Sequence, residues 1–151
     1  MKVLFVCLGN ICRSPLAEGL AANIAKQNRL NIEVDSAGTS SWHIGESPCD
    51  NSIKVARENG VDISKLRARQ VTADDFKTFD LVIGLDSSNI SDLKKMGCPN
   101  PLLLGDFGFD GADVPDPYFF EGYSGFDKVY NMIKICAENL LKEIGGKGLK
   151  Q

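Results

Sequence analysis

At 151 residues, with 43% hydrophobic and 25% charged side chains, the chain suits one globular domain, 1–151, that buries about 70% of its unfolded surface. A net charge of −3 gives nucleic acid and anionic membranes no electrostatic purchase, so neither is an expected partner and any anion recognition must be local. Five scattered cysteines (Cys7, Cys12, Cys49, Cys98, Cys136) beside the lone His43 suit neither a disulfide framework nor a zinc site, so no metal or cofactor is expected.

In chain order, Val3 to Val6 reads as a buried strand ending at Cys7. Ser14 as cap and Pro15 at the first helical position then open a helix whose Leu16, Ala17, Leu20, Ala21 and Ile24 share a face, ending near Gln27 to Arg29. Asn31 to Ala37 is a second strand, running into the loop Gly38 to His43. Ser47-Pro48-Cys49-Asp50 combines a cap, a proline and an acidic third position for a helix that Gly60 terminates.

Thr72 to Phe79 predicts a short helix, Asp80 to Leu85 a buried strand, and Ser88 to Met96 a helix stopped by Gly97 and Pro99. Leu102 to Leu104 is a last short strand, and Gly105 to Gly125 is an irregular segment rich in glycine, proline and aspartate. Phe126, Val129, Tyr130, Ile133, Ala137, Leu140, Leu141 and Ile144 then mark one face of a terminal helix ending at Gly145-Gly146. Strands alternating with helices predict an α/β three-layer sandwich, a four-stranded parallel sheet flanked by helices. Ligands in such folds gather at the carboxyl ends of the strands, where the loop between the first strand and first helix lies. No apolar run reaches the ~20 residues of a membrane span, and Val3 to Leu8 is too short for a signal-peptide core, so a cytoplasmic location is expected.

The chemistry concentrates in Cys7-Leu8-Gly9-Asn10-Ile11-Cys12-Arg13-Ser14-Pro15. Cys-x5-Arg alone is a loose pattern, compatible with a buried strand cysteine and a solvated arginine. Strand, thiol, glycine, arginine and Ser-Pro in this order build a phosphate cradle at a helix N-terminus, with a guanidinium fork alongside. The same field favours a thiolate, so the anion site also activates its nucleophile. Ser14 caps the helix and can also donate a hydroxyl to the sulfur. A leaving alkoxide or phenoxide needs a proton. His43 reads as an exposed loop side chain, whereas Asp116, set between Pro115 and Pro117, is a carboxylate that burial near aromatics and a bound dianion would keep protonated. On the residues alone it competes with Asp106, Asp110 and Asp113, which read as solvated loop charges.

Together, Cys7 to Ser14 and Asp116-Pro117-Tyr118 resemble the low-molecular-weight protein tyrosine phosphatases, over nearly the whole chain. Asp35 to Thr39, Ala68-Arg69-Gln70 and Asp80 to Asn89 fall where that family has similar segments. The resemblance implies catalytic roles for Cys7 (nucleophile), Arg13 (phosphate clamp) and Asp116 (general acid, then base). It implies that Leu8, Gly9, Asn10, Ile11, Cys12 and Ser14 surround the phosphate, that Asn10 and Ser36 brace the loop, and that Trp42 and Tyr118 wall a cleft suited to phenyl phosphates. Cys12 would pair reversibly with Cys7. Implied partners are phosphotyrosine-containing proteins or peptides and small aryl phosphates, with inorganic phosphate as product inhibitor and acid phosphatase activity on small phosphomonoesters.

Two departures stand out. Leu66-Arg67 occupies the place where animal members often carry a loop-supporting histidine, and Phe119 replaces a second tyrosine. A thiol-coupled arsenate reductase resembles this fold but needs a close relay pair of cysteines where Leu85 to Asn100 supplies only Cys98. A silent phosphate-binding module would not need Cys7, Arg13 and Asp116 together.

Overall fold

The computed structural model describes residues 1–117 and 124–145. In chain order these form β1 (Lys2–Cys7), α1 (Arg13–Gln27), β2 (Glu33–Gly38), α2 (Asp50–Glu58), α3 (Asp75–Thr78), β3 (Leu81–Gly84), α4 (Ser87–Lys95), β4 (Leu102–Leu103), a 3-10 turn at Leu104–Asp106, and α5 (Ser124–Gly145). The strands make one sheet in the order β2-β1-β3-β4, with every pair parallel. This is the expected α/β architecture.

β1 is central because its sequence is apolar on both sides, as a strand covered on two faces requires. Its odd residues Val3, Phe5 and Cys7 join a core with Leu16 and Leu20 of α1, Val55 of α2, and Phe126, Ile133 and Leu140 of α5. Its even residues Leu4 and Val6 face the opposite layer, packing with Val82, Leu93 and Cys98 and with the partly buried Phe76 and Phe79. The period-two alternation of one strand thus divides the core and assigns the Cys7 side chain to the α1 face. α5 covers that face with buried Val129, Tyr130, Ile133, Cys136, Ala137, Leu140 and Leu141, at the three-to-four spacing of a helical stripe.

Two expected helix starts are corrected. α1 begins at Arg13 with Cys12 as N-cap and no side-chain cap, so Ser14 is inside the helix and its hydroxyl is turned elsewhere. α2 begins at Asp50 because Cys49 is its N-cap with an extended backbone (φ −61°, ψ 148°), its N–H donating to Ile11 O at 2.8 Å. Ser47 and Pro48 therefore precede the helix. Conversely, α4 starts one residue early with a full capping box. Asp86 accepts from Asn89 N at 2.8 Å, and the Asn89 side chain accepts from Asp86 N at 3.1 Å.

Candidate active site

The segment from Cys7 to Arg13 joins β1 to α1 as a loop closed on its own sulfur. Asn10 N donates to Cys7 Sγ at 3.2 Å, and Ser14 Oγ lies 3.0 Å from the same sulfur. The turn requires Asn10 to adopt a left-handed backbone, φ 57°, a conformation that asparagine tolerates better than most residues. Its buried carboxamide makes three hydrogen bonds that hold it there. Asn10 Nδ2 donates to Ser14 Oγ at 2.8 Å and to Ser36 Oγ at 2.9 Å, while Oδ1 accepts from Arg69 N at 3.0 Å.

Gly38, the last residue of β2, passes directly beneath the loop. A side-chain carbon there would sit 2.8 Å from Leu8 O and 3.1 Å from Gly9 C, so only glycine permits the approach. The next residues then hold the loop from below. Thr39 N donates to Cys7 O at 2.9 Å and Ser40 N to Leu8 O at 3.0 Å.

Arg13 reaches the cleft under restraint. Its Nη1 donates to Asp86 Oδ2 at 2.7 Å and to Val114 O at 3.0 Å. Burial alone would lower the guanidinium's affinity for its proton. The Asp86 hydrogen bond and the field of Cys7 outweigh that, holding its pKa above the ordinary value. The first turn of α1 carries no acidic side chain, leaving the positive end of its dipole for an external anion. Val114 is itself fixed, its N–H donating to Leu85 O at 2.9 Å, and Asp113 Oδ1 accepts from Ser87 N at 2.8 Å and from Ser87 Oγ at 2.7 Å. Asp113, exposed as expected of a solvated loop charge, also clips the irregular segment to α4. Three residues further on, Asp116 lines the cleft.

Further out, the loop's braces are braced in turn. Ser36 Oγ donates to Glu18 Oε1 at 2.6 Å. Burial pushes the Glu18 carboxyl up from 4.5 to about 7, with the Ser36 hydrogen bond acting in the opposite direction. The Arg69 guanidinium forks between Asp35 Oδ2 and both oxygens of Asp75, at 3.0–3.2 Å. That double anchor fixes the backbone N–H that Asn10 uses. At Leu66-Arg67 the leucine is apolar and Arg67 Nη1 donates to Ser64 O and Leu66 O rather than to the loop, which is braced by the Arg69 amide and the Glu18–Ser36 pair.

Cys7, Leu8, Gly9, Ile11, Cys12, Arg13, Trp42, His43 and Asp116 line one cleft of about 230 Å³. A thiol between two hydrogen-bond partners, a restrained cation and a carboxylate here share a space with an aromatic rim. A family model for low molecular weight phosphotyrosine protein phosphatases matches residues 2–150. The chain belongs to that family. It is 42% identical over 153 residues to the low molecular weight protein-tyrosine-phosphatase YfkJ of Bacillus subtilis, covering 95% of this chain and 96% of the relative. It is 35% identical over 149 residues to low molecular weight phosphotyrosine protein phosphatase 1 of Drosophila melanogaster, covering 94% and 96%. The structure superposes on a product-state mimic of an Entamoeba histolytica protein tyrosine phosphatase with a TM-score of 0.88 at 35% identity, covering 95% of each chain. Its activity is that of a protein tyrosine phosphatase, a phosphoric monoester hydrolase.

In this phosphatase the residues named from sequence divide into two groups. Cys7, Leu8, Gly9, Ile11, Cys12, Arg13, Trp42 and Asp116 meet at the cleft. Asn10, Ser14 and Ser36 have buried side chains bonded to one another beneath the loop, so their contribution is support. Tyr118 and Phe119 lie outside the described residues. His43 is at the cleft wall rather than apart from it, its Nδ1 2.9 Å from Glu46 Oε2. Trp42 stands 71% exposed at the rim, available to an incoming ring. Three residues of the site had no role assigned from the sequence: Asp86 and Arg69, which lie in segments that resemble the family, and Glu18. Asp86 also left a local trace of its structural task, the Asp-x-x-Asn pattern of its capping box.

Proposed function

We propose that this phosphatase works through a cysteinyl-phosphate intermediate. Cys7 Sγ attacks the phosphorus of a bound aryl phosphate while Asp116 gives its proton to the departing phenolic oxygen. Water then attacks the phosphocysteine, Asp116 takes the water's proton, and the Cys7 sulfur leaves as inorganic phosphate is released. Arg13 clamps two of the phosphoryl oxygens, and the Ser14 hydroxyl supports the sulfur as it arrives and leaves. The observation that carries this reading is the placement of Cys7 Sγ between Asn10 N and Ser14 Oγ in a cleft that Arg13 and Asp116 also line.

Phosphotyrosine-containing proteins and peptides are the substrates that the exposed Trp42 rim favours, with small aryl phosphates and other small phosphomonoesters turned over as an acid phosphatase would. Inorganic phosphate competes as product. The odd, scattered cysteine set supports work in the reducing cytoplasm, and residues 1–151 act as one domain. Peroxide oxidises Cys7, and Cys12 in the same cleft traps it as a reducible disulfide. Among the described residues no helix is long and apolar enough to cross a membrane.

Cys7→Ser decides the mechanism. Turnover of an aryl phosphate is expected to vanish while phosphate or vanadate still binds, because Arg13 and the loop backbone remain. Appreciable turnover by the variant overturns the covalent route.

A further inference from the structure

Cys12 has a second sulfur within reach. Its Sγ lies 2.8 Å from Cys49 Sγ, against about 2.05 Å for a disulfide bond. This contact is held from three directions. Cys49 N donates to Ile11 O at 2.8 Å, Cys49 Sγ lies 3.0 Å from Ser52 Oγ, and Ser52 Oγ donates to Cys12 O at 3.0 Å. The N-terminus of α2 is thereby tied to the phosphate loop with the two thiols face to face. The two cysteines also open on different spaces. Cys12 lines the catalytic cleft, whereas Cys49 lines a second opening with Ile11, Glu46 and Asp50.

We propose that Cys49 is a terminal resolving thiol that draws an oxidative disulfide out of the catalytic cleft, returning Cys7 to its reduced form. The proposal rests on the reading of Cys7 and Cys12 given above and extends it by one exchange. A hydroperoxide oxidises the Cys7 thiolate to the sulfenic acid, releasing hydroxide, or alkoxide from an organic hydroperoxide. Cys12 condenses with that sulfenic acid, forming the Cys7–Cys12 disulfide and expelling water. Cys49, losing its proton to the hydroxide or alkoxide released in the first step, attacks Cys12 Sγ. The Cys12–Cys49 bond forms and Cys7 leaves as thiolate. The net change is two thiols oxidised to one disulfide by one hydroperoxide.

Geometry sets the direction. The sulfur that Cys49 touches is that of Cys12, so attack there can expel only Cys7. The departing Cys7 sulfur is received by Asn10 N and by the Ser14 hydroxyl. The Cys12 thiol is held protonated by its contact with Cys49, by burial and by the nearby Cys7, which makes Cys12 the poorer leaving group of the two. The disulfide then faces the second opening, where a reducing thiol reaches it without entering the catalytic cleft.

The test treats the intact protein with a single equivalent of hydrogen peroxide, alkylates the remaining thiols and maps disulfides by peptide mass spectrometry, with aryl phosphatase activity followed in parallel. The parent is expected to yield a Cys12–Cys49 crosslink with Cys7 alkylated in the samples quenched with alkylating agent. In unquenched samples activity should recover without added thiol. Cys49→Ser, and Cys49→Ala as a second variant, should keep basal activity but stop at the Cys7–Cys12 disulfide and stay inactive until thiol is added. A parent in which Cys7–Cys12 persists as it does in the variants, or in which no Cys12–Cys49 peptide forms, overturns the proposal. The crosslink map is independent of turnover. A chain lacking phosphatase activity but showing the crosslink would defeat the catalytic reading alone.

Discussion

Asp86 divides its carboxylate between two tasks, one oxygen capping α4 at Asn89 N and the other holding Arg13 Nη1 at 2.7 Å. The cation lining the cleft is therefore oriented by the start of a helix on the opposite side of the sheet. Asp86→Asn offers one acceptor oxygen where the aspartate has two, so cap and clamp compete for it. A ~10²-fold fall in kcat/KM for an aryl phosphate is expected, the scale of a small misplacement of a reacting group. Inhibition by phosphate should weaken in parallel. Parental values of both in the variant would show that Arg13 needs no such restraint.

Asp116→Asn is expected to slow the phosphorylation step ~10²–10⁴-fold when the leaving group is a strong base. The deficit should shrink as the leaving group becomes more acidic, since a phenoxide that needs no proton does not miss the acid. Pre-steady-state rates across a series of substituted phenyl phosphates measure this. A deficit independent of leaving-group pKa would transfer the role to another group.

Gly38→Ala places a methyl group against the backbone of Leu8 and Gly9, which cannot yield without moving the phosphate loop. A stability loss of about 1–3 kcal/mol is expected from chemical denaturation, with kcat falling alongside it. An alanine variant of unchanged stability would mean that the loop rides higher over β2.

Glu18 predicts a pH dependence of known sign. Its pKa is about 7 in the fold against an ordinary 4.5, so between these values the folded chain holds more protons than the unfolded one. Stability contributed by the protonated carboxyl is present below 4.5 and is lost as pH rises to about 7. Ser36, Asp35 and Arg69 are the groups that bear on it. The difference in unfolding free energy between the parent and Glu18→Gln should fall by about 1–2 kcal/mol across that window, discounted for partial exposure. Parallel pH profiles would mean that Glu18 ionises normally.

The reactive loop was legible because its residues are contiguous and their order carries the chemistry. The sheet was legible because β1 and β3 are apolar on both faces. Contacts that local pattern does not encode were not. Ser47-Pro48-Cys49-Asp50 has the composition of a helix start, yet Cys49 lies extended against Ile11 of the loop and the helix waits until Asp50. Ser14 looks like a cap and serves the sulfur instead. Arg69 and Glu18 join the site only because β2 and the segment after α2 fold under the loop, a placement set by the whole sheet.

The parallel sheet also dictates when the cleft around the thiol is assembled. Cys7 leaves the ribosome early, but the glycine that passes beneath its loop, the amide of Arg69, the carboxylate of Asp86 and Asp116 follow in that order, each from further along the chain. A nascent chain therefore carries its cysteine unsupported until the irregular segment beyond β4 has been made. The cleft is complete only when its last-made residues arrive.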